Sequence, residues 1–269
     1  MKIVLYTIDN PGFITRYYMH HLLSESEHDF LVVSVRQQSS VFRNLKKKLI
    51  RFIYELRFGK QEIRNENNKL RRIFDKETPK RKSEINMVRV SAVNDAESES
   101  VIKTYAPELI IQLGAGILKE NIFGIPALGT INVHHGFAPE IRGQQSTLWA
   151  LYYGLTDRIG VTCHYIDAGL DTGAVIEQYL YTHQKGDNYL KIQEKLVREG
   201  YNCLIASMNK ISSGSKPQFN ETAVLSCYFS YFKPELYDKL KKNLFEKVED
   251  LDTYSKKKTR AKKIAVFPR

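Results

Sequence analysis

Short β-branched runs and helix-period segments take turns along this chain, and that alternation restricts the fold more than any single motif. Strand-type runs fall at Lys2–Thr7, Asp29–Val35, Asn86–Val90, Leu109–Leu113, Gly129–Val133, Val161–Asp167 and Val175–Leu180. Between them Phe13–Glu25, Ala96–Tyr105, Gln145–Gly154 and Tyr189–Ser212 carry helical patterns. Such alternation argues for an α/β sheet with helices on both faces. In open sheets of this class ligands bind outside the carboxyl ends of the strands, so the loops after Thr7, Leu113, Val133 and Asp167 are where a site is expected. A chain of 269 residues, 42% of them apolar, supports one main domain and a small appendage, expected at 1–212 and 213–269.

Charge marks out one segment. The net charge of +11 is carried by 36–82, since the basic and acidic residues elsewhere cancel. This segment, about 37–82, reads as a basic helical insert. In Val41–Phe58 the residues Val41, Phe42, Leu45, Leu49, Phe52, Ile53 and Leu56 recur at three- and four-residue spacing, with Arg43, Lys46, Lys47, Lys48 and Arg51 largely opposite. Two readings stand: a helix packed on the domain with a solvated basic face, or a helix that docks peripherally on anionic lipid or a membrane-bound glycan-assembly complex. Gln61–Asp75 reads as a second helix, polar on most faces, and Pro79–Lys82 as an exposed loop.

Three cysteines without regular spacing give no disulfide framework and suit a reducing compartment. With no signal peptide visible and no apolar run of bilayer length, a cytoplasmic protein is expected. After Ser212 comes a linker, then the aromatic-rich Ala223–Phe232, an amphipathic Pro234–Val248 and a basic end, Lys256–Lys263. That end reads as a solvated tail, so no nucleic-acid partner is expected.

Two stretches concentrate chemistry. The first is Ile131-Asn-Val-His-His-Gly-Phe-Ala-Pro-Glu-Ile-Arg-Gly143; the second is Gly160-Val-Thr-Cys-His-Tyr-Ile-Asp-Ala-Gly-Leu-Asp-Thr-Gly173. On a strand, two-residue spacing puts Asn132 and His134 on one side and His135 on the other. An amide can donate to a developing oxyanion while an imidazole beside it moves a proton. Asp171, on a loop flanked by Gly169 and Gly173, can pair with His134, and His164 shares a face with Thr162 and Ile166. Arg142 serves either as a loop anchor or as a contact to an anionic substrate. Ser146 or Thr147 is expected to cap the following helix. A metal bound by His134, His135 and His164 is disfavoured, because adjacent strand residues face apart and no HxxxH or HExxH spacing occurs; no metal is expected. The bland alternatives are a satisfied core histidine and an Asx-turn aspartate.

At these residues the chain resembles the folate-dependent formyltransferases, which include methionyl-tRNA formyltransferase, glycinamide ribonucleotide formyltransferase and the sugar N-formyltransferases. The resemblance runs through Asn132, His134, Pro139, Arg142 and Gly143, then through Gly160 to Gly173, and is close over Pro107–Gln178. It implies a Rossmann-like, mostly parallel sheet flanked by helices. It further implies 10-formyltetrahydrofolate as co-substrate, with Asn132, His134 and Asp171 catalytic, His134 acting protonated, and His164 and Arg142 supporting. The pterin would lie between Leu113, Gly114, Gly116, Ile117 and Leu118 on one side and Asp167, Ala168, Gly169 and Leu170 on the other. Many members carry His-Pro-Ser-Leu-Leu-Pro where this chain has His134-His-Gly-Phe-Ala-Pro139, so the serine is absent.

The resemblance also bears on the amine. About 57 residues follow Ser212, fewer than the β-barrel domain expected of a methionyl-tRNA formyltransferase. Thr7-Ile-Asp-Asn-Pro-Gly12 does not match the Gly-Ser-Asn-rich phosphate loop of the glycinamide ribonucleotide enzymes. A nucleotide-linked amino sugar is the expected small-molecule partner, with Tyr228, Phe229, Tyr231 and Phe232 stacking a base, joining a homodimer or simply forming core. The rivals are another amine such as methionyl-tRNA, a 10-formyltetrahydrofolate hydrolase, and a non-catalytic docking module built on the basic helix.

Overall fold

The computed structural model describes residues 1–36, 61–80, 85–184, 186–215, 227–229, 236 and 240. The expected helix Val41–Phe58, the end of the Pro79–Lys82 loop, Tyr231, Phe232, most of Pro234–Val248 and the basic tail lie outside them.

Seven strands form one sheet: β1 (Lys2–Ile8), β2 (Asp29–Val35), β3 (Met87–Val90), β4 (Leu109–Gln112), β5 (Thr130–His134), β7 (Gly160–Tyr165) and β8 (Val175–Leu180). Their order is β3-β2-β1-β4-β5-β7-β8; the first five are parallel, and β7 and β8 are each antiparallel to the strand before. The order reverses between β1 and β4, the place where such sheets open a crevice. β1 shows why the run is apolar throughout: Ile3 and Leu5 enter one core cluster, Val4 and Tyr6 the other. Period-two alternation thus feeds both faces, and burying each such side chain contributes about 1.5–3 kcal/mol.

One face is covered by α1 (Phe13–Glu25), α2 (Gln61–Glu77) and α6 (Tyr189–Ser212); the other by α3 (Ala96–Tyr105) and the short α4 (Glu120–Phe123). The helix read from sequence as polar on most faces is α2, and it is a working crossover between the parallel strands β2 and β3. Its narrow apolar stripe, Leu70 and Phe74 four residues apart, is fully buried. Phe74 packs against Phe13 and Tyr17 with ring centroids 6.0 and 4.9 Å apart. Arg198 of α6 lies over the same ring and grips Glu77 through two bonds of 2.7 and 2.9 Å.

A second small sheet pairs β6 (Ile141–Gly143) in parallel with β9 (Cys227–Phe229). The segment after Ser212 therefore returns to the main domain. The helix α5 (Ser146–Tyr153) begins differently from expectation: Gln145, in left-handed backbone at φ 55°, occupies the cap position, and its side chain does not cap the helix. Ser146 is already helical, and its hydroxyl turns back to the Gly143 carbonyl at 3.2 Å.

Candidate active site

β5 and β7 lie side by side with Asn132 opposite His164 and His134 opposite Thr162. His135, just past β5, turns to the far face, where its Nε2 lies 3.1 Å from the Tyr18 hydroxyl. Burial pushes His135 down to about 4, so it stays neutral and serves packing. The three imidazoles thus do not converge.

Asp171 is the hub on the near face. It sits in left-handed backbone at φ 52°, a conformation that carries strain for a residue with a side chain. Its Oδ2 accepts the Gly143 amide at 2.9 Å and lies 3.5 Å from His134 Nδ1. Its Oδ1 lies 3.6 Å from His164 Nε2. Burial alone would raise this carboxyl; the His164 ring, the His134 charge and the Gly143 amide outweigh that and hold it down at about 2. The upstream Asp167 accepts from Gly169 N and Thr172 Oγ1 at 2.9 and 2.7 Å, closing the turn that delivers Asp171.

Each imidazole has one nitrogen already engaged. His164 Nδ1 donates to the Tyr165 carbonyl at 2.7 Å, and its Nε2 lies 3.5 Å from Asn132 Nδ2 and faces Asp171. His134 Nε2 faces the Ile141 carbonyl at 3.1 Å and the Ser146 hydroxyl at 3.4 Å. Burial pushes His134 below the ordinary imidazole range, and Asp171 and the Ile141 carbonyl only partly restore it. The ring stands between two acceptors, the Ile141 carbonyl at Nε2 and the Asp171 carboxylate at Nδ1. It can accept a proton that Asp171 then stabilises.

Asn132, His164 and Asp171 open onto a cleft of about 200 Å³ lined also by Gln112, Gly116, Ile117, Leu118, Ile166 and the Asp167–Leu170 turn. Of the residues expected to hold the pterin, Gly116, Ile117, Leu118, Asp167, Ala168, Gly169 and Leu170 line it. Leu113 does not, being core at 5% exposure, and Gly114 faces Thr15 at the start of α1. The loop after β1 lies outside this cleft as well. Ile117 and Leu170 project as exposed apolar groups at the cleft, suited to a flat aromatic ring. Gln112, which no motif flagged, donates to the Gly116 carbonyl at 2.7 Å and fixes the turn opposite Asp171. Its position at the carboxyl end of β4 was the available signal. Arg142 Nη1 donates to the Leu170 carbonyl at 3.0 Å, a contact that ties its loop to the Asp167–Leu170 turn.

The fold and the clustered amide, imidazoles and carboxylate define an α/β protein equipped for acyl transfer. The chain belongs to the formyl transferase family, whose pattern residues 1–208 match. It is 29% identical over 153 residues to a methionyl-tRNA formyltransferase from Syntrophus aciditrophicus, covering 56% of this chain and 49% of that one. It is 34% identical over 124 residues to one from Kosmotoga olearia, covering 46% and 40%. The chain thus spans about half the length, or less, of these relatives. Among solved structures it is similar to a sugar N-formyltransferase from Shewanella sp (TM-score 0.54, 13% identity, 86% of this chain and 77% of that one). It is also similar to a glycinamide ribonucleotide transformylase from Symbiobacterium toebii (TM-score 0.52, 12% identity, 79% and 89%).

Proposed function

We propose that this protein is an N-formyltransferase that moves the formyl group of 10-formyltetrahydrofolate to the primary amine of a nucleotide-linked amino sugar. The observation that carries the reading is the joining of Asn132, His164 and Asp171, with His134 behind, to a cleft having apolar rims. The amine nitrogen bonds to the formyl carbon, and the carbonyl oxygen gains charge that the Asn132 amide meets with an N–H. The bond from carbon to the folate nitrogen then breaks. One proton leaves the amine and one arrives on that nitrogen, and the His164–Asp171–His134 group relays it. Asp171 stays ionised and stands between the two rings, placed to stabilise a proton on either.

Two things support a sugar over methionyl-tRNA. This chain covers 77% of a sugar N-formyltransferase of similar fold, against 49% and 40% of the two methionyl-tRNA formyltransferases. Among the described residues after Ser212, Cys227–Phe229 form a strand laid against Ile141–Gly143, the loop that meets Asp171. The test is mass spectrometry of nucleotide-linked amino sugars, methionyl-tRNA and an amine-free control, each incubated with 10-formyltetrahydrofolate. A gain of one formyl group on a sugar is expected. Formylation of methionyl-tRNA alone, or formate release without an amine, replaces this reading with the corresponding rival. A protein that binds anionic vesicles and performs none of these reactions is the docking module.

A further inference from the structure

We infer that β9 is a clasp of the active centre: by pairing with β6 it holds the Gly143 amide on Asp171, which makes the segment beyond the family domain a positioning element of the reaction. The inference rests on the proposed role of Asp171.

Neighbouring amides of an extended strand point to opposite edges. Cys227 N donates to the Glu140 carbonyl at 2.9 Å and Gln144 N donates to the Phe229 carbonyl at 2.9 Å, so one edge of β6 is spent on β9. The Gly143 amide, between them, is thereby turned to the other edge, where it meets Asp171 Oδ2 at 2.9 Å. The approach is too close for any side chain. A Cβ on Gly143 would stand 2.0 Å from the Phe229 carbonyl oxygen, and its φ of 96° suits only glycine. Phe229 also anchors the far side of the loop: its ring stacks on Trp149 of α5 with centroids 4.9 Å apart and is 9% exposed. One residue of β9 therefore pins the backbone before α5 and the helix itself. Tyr228, which alternates outward and is 50% exposed, is not part of the clasp. Gly143 further ties the group together because its carbonyl accepts from Ser146, whose hydroxyl touches His134.

The experiment follows the Gly143 amide proton by NMR in 15N-labelled full-length protein, with formyl transfer measured on the same variants. In the wild type that proton is expected far downfield and slow to exchange, and in Asp171→Asn displaced, since a charge-assisted bond is replaced by a neutral one. Phe229→Ala should displace it likewise and lower kcat about tenfold, leaving KM for 10-formyltetrahydrofolate within about twofold, because the catalytic carboxylate is misplaced and the cleft is not. Tyr228→Ala should leave the proton where it is. Should Phe229→Ala fail to fold, Phe229→Leu supplies a graded displacement in the same direction. A Gly143 amide proton unmoved in Phe229→Ala or Phe229→Leu overturns the clasp, as does a loss of activity unaccompanied by any movement. Full transfer by Asp171→Asn overturns instead the reading of the site, and the amide readout still decides the clasp.

Discussion

Gly136 stands where the family's His-Pro-Ser-Leu-Leu-Pro pattern has its serine, and restoring that serine should damage this protein. A Cβ at Gly136 would lie 2.2 Å from His134 Nε2 and 2.7 and 2.8 Å from the Cβ and Oγ of Ser146. Ordinary contact begins at 3.4 Å, so the imidazole must retreat by about 1 Å or the loop must move. The loop is poorly placed to yield, because Thr162 Oγ1 donates to the Gly136 carbonyl at 2.9 Å and accepts from Ala138 N at 3.0 Å. Overpacking of this kind costs about 1–3 kcal/mol, which lowers Tm by roughly 2–10 °C in a domain of this size. A catalytic group displaced by about 1 Å costs on the order of a hundredfold in turnover. Gly136→Ser should therefore melt earlier and transfer formyl about a hundredfold more slowly. Adding Ser146→Gly empties the space beside the new side chain and should return about tenfold of that rate. Differential scanning fluorimetry and steady-state transfer assays measure both. Wild-type Tm and kcat in Gly136→Ser would refute the packing argument, and so would a double variant no better than the single.

Three further outcomes follow from the same contacts. Gln112→Ala frees the Gly116 turn and should raise KM for 10-formyltetrahydrofolate about tenfold with kcat nearly unchanged; a fall in kcat at constant KM would place Gln112 in the chemistry instead. Arg198→Ala removes the two-bond grip on Glu77 and the cation over Phe74, and since both charged groups are partly exposed the loss should be about 1–2 kcal/mol by urea unfolding. Asp171 has a folded pKa of about 2 against an ordinary 3.8, so its contribution to stability is complete above the unfolded value and disappears as pH falls toward the folded one. The stability difference between wild type and Asp171→Asn should be flat above pH 5 and shrink by roughly 2 kcal/mol between pH 5 and 2; a difference independent of pH would mean the carboxylate is not held this way.

How much of this was legible in sequence depends on the range of the interaction. The sheet strands and the larger helices announce themselves because period-two and helical patterns are local, and β1, with alternate residues feeding two cores, could hardly be anything but a central strand. Asn132, His134 and Asp171 were visible because motif spacing and resemblance marked them. The pairing of β6 with β9 was not, since three-residue strands far apart in the chain have no periodic signal of their own. The docking of α2 was hidden by its two-residue apolar stripe among charged neighbours. Leu113 and Gly114 sit beside the turn that lines the cleft yet face the core and α1, because sequence proximity does not say which way a tight turn aims its residues. The protonation of His134 depends on burial, which only the packed structure supplies.

The central claim is that this cleft binds the folate and that Asp171 acts in the transfer. Its most direct test pairs calorimetric titration of tetrahydrofolate with single-turnover transfer of a 13C-labelled formyl group, in the wild type and in Asp171→Asn. The account predicts comparable binding by both proteins and a labelled product only from the wild type. Absence of binding by the wild type, or labelled product formed by Asp171→Asn at the wild-type rate, would contradict it.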